Sequence, residues 1–89
     1  MSFPWKPITT EAACGTSSTN GSNFGSSTAV RVHNSGSTAR LVSVETSGAS
    51  LIGTFTLGAG GTEIISKNAS DEVFAAHAEI LGVGCITEN

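Results

Sequence analysis

The stretch from Thr28 to Lys67, TAVRVHNSGSTARLVSVETSGASLIGTFTLGAGGTEIISK, decides the fold class. Its apolar residues come in short runs cut by Gly, Ser and Asn, roughly every eight to twelve residues, which is the spacing of a small antiparallel sandwich or barrel. In AVRVHN, Val30 and Val32 fall on one face and Arg31 and His33 on the other, the period of two of a half-buried strand. The turn Asn34-Ser35-Gly36-Ser37 follows. In ARLVSVET, Val42 and Val44 share a face with Arg40 and Thr46, opposite Leu41, Ser43 and Glu45. After Ser47-Gly48-Ala49-Ser50, LIGTFTL places Leu51, Phe55 and Leu57 inward and Thr54 and Thr56 outward. Gly53 within that strand predicts a bulge or a close backbone approach. Gly58-Ala59-Gly60-Gly61 reads as a hairpin connection requiring positive φ, and TEIISK as an edge strand guarded by Glu63 and Lys67.

Downstream, the chain supports two readings. Ser70, Asp71 and Glu72 resemble a helix cap and first turn, with Val73, Phe74, His77, Ile80 and Leu81 at helical spacing. Equally, VFAA and ILGVGCI read as two β segments joined by a bend at His77–Glu79. The β character of the surroundings and the alternation of Gly82 and Gly84 with Leu81, Val83 and Cys85 favour strands. The expectation is an all-β sandwich or barrel of about six or seven short strands over residues 28–89.

Residues 1–27 differ in composition. Phe3, Pro4, Trp5 and Pro7 open the chain, and CGTSSTNGSNFGSS (Cys14–Ser27) carries only Phe24 as a large apolar side chain. Such a tract cannot bury enough surface to fold alone. It reads as a flexible N-terminal arm, either an idle tail or a device reaching a neighbouring subunit. Phe3, Trp5 and Phe24 are its candidate partner-binding residues, since large aromatics serve as contact anchors.

Bulk properties narrow the function classes. The 89 residues make one domain, with a core too small for a wide stability margin. Four Lys and Arg stand against seven Asp and Glu. That balance disfavours nucleic acid and anionic membranes as partners, both of which require a basic face. No stretch is long and apolar enough to span a bilayer, and the N-terminus lacks the apolar segment of a signal peptide. Ser and Thr number 24, a neutral, hydroxyl-rich composition common in secreted or particle-exposed β proteins and unusual in soluble enzymes. Cys14 and Cys85 read either as a disulfide tying the arm to the last strand or as two separate thiols, the second fitting a reducing compartment.

Nothing points to catalysis. His33 and His77 lack a patterned acid and nucleophile. Asp71 and Glu72 belong to no alternating Asp/Asn calcium loop. GAGG is followed by neither Lys-Ser/Thr nor a helix start, so it is no phosphate loop. No CxxC or histidine cluster offers a metal site. No catalytic, cofactor-binding or metal residues are expected, and the chain reads as a non-enzyme.

The stretch TFTLGAGGTEIISKNASDEVFA (Thr54–Ala75), with a strand of the form G-T/S-F-T-L, a Gly-rich turn, E-I/V-I-x-K and an Asn–Asp turn into an apolar strand, resembles small virion structural proteins of tailed bacteriophages of the marine and cyanophage type. The likeness runs over about Thr28–Ile86 and leaves the arm unmatched. It implies a capsid decoration or cement protein, assembled in the host cytoplasm and carried on the virion. The implied partners are the major capsid protein or other virion proteins, and the implied state is a homo-oligomer, with a trimer among the symmetries that fit. The rival expectations are a tail, neck or fibre component, or a glycan- or surface-binding β module.

Overall fold

The structure, a computed structural model, describes residues 4–87. It is all-β, with eight strands and no helix among the described residues: β1 Trp5–Pro7, β2 Ala12–Ala13, β3 Ala29–Asn34, β4 Arg40–Glu45, β5 Leu51–Leu57, β6 Thr62–Ser66, β7 Glu72–Ala75 and β8 Ile80–Thr87. They form two antiparallel sheets. One runs β1-β8-β3-β6, with β2 also on β8, and the other runs β5-β4-β7.

The alternation read from the sequence holds at the centre of each sheet. Val30 and Val32 on β3 and Val42 on β4 are fully buried between the sheets, together with Leu57, Val73, Ala75 and Ile80. Residues 70–82 are strands and a bend: β7 pairs with β4, β8 pairs with β3, and the chain turns over Ala76–Glu79.

Gly58–Gly61 does not close a hairpin. It carries the chain from β5 in one sheet to β6 in the other. Gly60 does take positive φ (71°). The loop caps the end of β3, where Asn34 N donates to Gly61 O and Gly60 N to Asn34 O. A sequence run shows that a turn exists; which strands flank it in space depends on where each one finds a hydrogen-bonding partner.

The bulge expected near Gly53 is present. Val44 pairs with Gly53 but Glu45 with Leu51, leaving Ile52 as the extra residue. Paired residues share a face, so the bulge turns Leu51 away from the core. Leu51 was expected inward, yet it is 63% exposed, while Leu57 is buried as expected. The β4–β5 turn holds Ala49 at φ 67°, a left-handed conformation that a β-carbon disfavours. Ala49→Gly is therefore expected to stabilise the fold by about 0.5–1 kcal/mol, read as a higher urea midpoint at unchanged slope.

The main correction concerns residues 4–27, which are not a free arm. β1 and β2 pair with β8, with registers Trp5↔Thr87 and Ala12↔Gly82. Ile8 N donates to Gly84 O, and Thr9 Oγ1 accepts from Gly84 N. Farther on, the chain runs along the outer edge of β7 as a strap, with bridges at Gly15↔Phe74 and Ser22↔Val73. Cys14 and Phe24 enter the core. The physical reason lies in β8. Gly82 and Gly84 leave its inner face bare: the Phe24 ring covers Gly82, where a β-carbon would come within 2.6 Å of it, while the Phe24 carbonyl and Ser27 Oγ lie over Gly84. The division into a 1–27 arm and a 28–89 domain gives way to one unit closed from both ends of the chain.

Candidate interaction surfaces

The residues picked from the sequence as partner anchors are not brought together. Phe3 lies outside the described residues. Phe24 is 5% exposed and belongs to the core. It sits at the start of three successive left-handed residues, Phe24, Gly25 and Ser26 (φ 51°, 72° and 59°). Such a backbone persists only where its surroundings hold it in place. Here the buried ring does so, helped by Ser26 N donating to Asn23 Oδ1 and Phe24 N to Ser22 Oγ. Phe24 is thus a structural residue with no surface to offer a partner.

Of the two described candidates, Trp5 is the one at the surface. It is half-buried on β1, with the Arg31 guanidinium 5.7 Å from the ring centroid, a distance that favours a cation–π contact. Arg31 also bonds the Glu11 carboxylate at 3.0 Å. Trp5, Ala29, Arg31, Ile64 and Ile86 line an open groove of about 790 Å³ running from β1 to β6.

A second surface was missed in the sequence. β5 is the outermost strand of its sheet, with no partner on its free side among the described residues. Its N-terminal half is apolar and open: Leu51 is 63% and Ile52 55% exposed, and Leu41, opposite Thr56 at the other end of the strand, is 45% exposed. Between β5 and β6 a shallower groove of about 520 Å³ is lined by Val44, Ile52, Phe55, Ile65, Lys67 and Asp71, where the two sheets diverge. β6, the edge of the other sheet, carries Glu63, and Lys67 follows it directly. β5 (LIGTFTL) has no charged residue at all. Edge strands that stay solvent-facing are usually blunted by charge. The signal available in the sequence was this lack of charge together with the Leu51-Ile52 pair, which breaks the period of two.

The polar residues serve the scaffold. His33 Nδ1 contacts Thr62 Oγ1 at 2.8 Å across β3 and β6. His77 Nδ1 accepts from Glu79 N at 3.1 Å in the β7–β8 bend. Arg40 bonds the Glu79 carboxylate at 2.7 Å, and this hydrogen bond above all holds the Glu79 carboxyl below its ordinary range. Lys67 Nζ donates to the carbonyls of Ser27, Asn68 and Ala69. Burial lowers its ammonium, and the charges of Asp71 and Glu72 partly restore it.

Cys14 and Cys85 are both buried free thiols. Cys14 is part of the core, and burial pushes it up to about 12, leaving it almost wholly protonated and inert at neutral pH. Cys85 is raised by burial as well, with Arg31 working in the opposite direction. Of the two sequence readings, the structure has separate thiols. Among the described residues, no three His, Cys, Asp or Glu side chains gather as metal ligands. Compared with protein-family models, curated proteins and solved structures, the chain matches none.

Proposed function

We propose that this chain is a non-enzymatic virion structural protein, a decoration or cement protein that docks on assembled capsid subunits through β5. The observation that carries the reading is a charge-free outermost strand with exposed Leu51 and Ile52 and an unpaired edge. A row of free backbone donors and acceptors beside apolar side chains suits addition of a partner strand. The same strand opens the stretch that resembles tailed-phage virion proteins. Docking on a large lattice would also offset the narrow stability margin of so small a core. Reach to neighbours through the N-terminal segment is not part of this proposal, because residues 4–27 are taken up within their own domain.

The test is co-sedimentation with assembled capsids from the same source. Wild-type protein is expected to pellet with capsids, and Ile52→Asp to lose at least about tenfold in affinity, since one charge placed in an apolar contact costs more than about 1.4 kcal/mol. Ile52 is exposed, so the variant keeps the wild-type fold by circular dichroism. Raising salt should change wild-type binding little, because the contact is apolar. A wild-type protein that stays in the supernatant, or an Ile52→Asp variant that binds as well as wild type, overturns the reading.

A glycan- or surface-binding module draws support from one observation: Trp5 is fixed on the sheet beside an open groove with Arg31 at hand. Its test is a glycan array probed with wild-type and Trp5→Ala proteins. Binding that the substitution abolishes supports this alternative, and an array with no signal retires it.

A further inference from the structure

The strap over the β5-β4-β7 sheet covers a buried carboxylate. Glu45 is 1% exposed, lies directly opposite Glu72 in the β4–β7 register, and so shares a face with it. Its Oε1 accepts a hydrogen bond from Ser18 Oγ at 2.7 Å. Its Oε2 is equally buried and has no hydrogen-bond partner. No ion pair among the described residues includes either glutamate. A buried carboxylate in that position lacks the compensation that burial demands.

Both carboxylates face Gly21 in the strap. The point a β-carbon would occupy on Gly21 lies 3.1 Å from Glu45 Oε2 and 3.3 Å from Glu72 Oε1. The two oxygens therefore converge on one point of the strap, with Glu72 Cβ at 3.0 Å from it, and the strap lies this close only because residue 21 has no side chain. Lys67 is near enough to Glu72 to feel its charge, but its ammonium is engaged by the Ser27, Asn68 and Ala69 carbonyls.

We propose that Glu45 Oε2 and Glu72 Oε1 bind a calcium ion between them, beneath the Gly15–Ser22 strap. The chemistry of the donors selects the ion. Two carboxylates and a serine hydroxyl are hard oxygen ligands, with no imidazole or thiolate to favour zinc. Calcium tolerates irregular oxygen shells at about 2.3–2.6 Å, whereas magnesium requires a near-ideal octahedron. The ion would supply the positive charge that Glu45 lacks and tie the strap to both strands. This inference is independent of the docking proposal.

The test is thermal unfolding of the full chain in EDTA, in about 10 mM CaCl₂ and in about 10 mM MgCl₂ at matched ionic strength. With affinity in the range of weak extracellular calcium modules, calcium is expected to raise Tm by roughly 5–15 °C, and magnesium by much less. Glu45→Gln should abolish the rise while unfolding in EDTA at or above the wild-type temperature, because a neutral amide replaces an uncompensated charge. Gly21→Ala, which sets a methyl group against both carboxylates, should abolish it too and serves if the first variant fails to fold. A wild-type Tm unmoved by calcium overturns the proposal. So does a rise shared equally by magnesium or retained in both variants.

Discussion

Phe24→Ala is expected to destabilise the protein by about 3–5 kcal/mol, the range for removing a buried phenylalanine from a core that cannot collapse around the gap. A domain of this size has a total stability of about 5–15 kcal/mol, so the variant should be marginal or unfolded at 25 °C. The ring lies over Gly82 of β8, which has no side chain to move into the gap. Urea unfolding followed by far-UV circular dichroism reads the change. A chain beginning at Thr28, which lacks Phe24, Cys14, β1 and β2, should show no cooperative transition at all. Cooperative unfolding of that shortened chain at a midpoint close to wild type would return residues 4–27 to the role of a dispensable arm.

The packing of Phe24 on Gly82 also sets the sign of a coupled pair. In the wild-type background, Gly82→Ala forces the ring to shift and should be destabilising. In the Phe24→Ala background the same substitution meets open space and should cost much less. Touching residues of this kind are expected to depart from additivity by about 0.5–3 kcal/mol. Additive losses would mean that the ring does not rest on Gly82.

Asn34→Ala is expected to cost about 2–4 kcal/mol, more than the side chain's size would indicate. Asn34 is fully buried at the end of β3. Its Nδ2 donates to Thr38 O at 2.8 Å and to Leu57 O at 3.0 Å, and its Oδ1 accepts from Gly36 N at 2.9 Å. One amide thus fixes the β3–β4 turn and ties it to the end of β5 in the other sheet. Alanine would leave two carbonyls and one amide N–H without their partner, and these losses outweigh the modest worth of any single hydrogen bond. Asn34→Asp tests the geometry. It keeps the bond to Gly36 N but turns both donated bonds into repulsions, so it should be no more stable than alanine. Stability within about 0.5 kcal/mol of wild type, the usual range for an unremarkable surface substitution, would count against this role.

Both predictions fall on residues that pattern reading treated as accessory, one as a tail anchor and one as a turn former. The period of two was enough to identify β3, β4 and the inner half of β5, because alternation marks the buried face whatever the partner. It also favoured strands over a helix at residues 70–82, since Gly82 and Gly84 alternate as a strand requires. The small size of those two residues was visible as well, but Phe24, whose ring covers Gly82 and whose carbonyl lies against Gly84, stands more than fifty positions upstream. Contacts at that separation leave no periodic trace in one sequence. A tract too poor in apolar residues to fold alone can still be ordered by strands that supply backbone partners and a bare face.

The candidate surfaces divide along the same line. Trp5 was legible as an anchor because large aromatics are rare in this chain, and its place beside Arg31 came from pairing with β8. The β5 surface was hidden by the bulge: one extra residue, Ile52, reverses the direction of Leu51, and no count of apolar residues shows where pairing slips. Glu45 read as lying on the face opposite Val42 and Val44, and only the strap on that face buries it. By itself, then, the sequence determined an all-β chain, the strands at its centre and the apolar set between the sheets, because these depend on alternation and local turn chemistry. Tertiary structure alone decided that the N-terminal segment completes the core, which edge stays open and which carboxylate is covered, because each depends on a distant part of the chain meeting a particular strand.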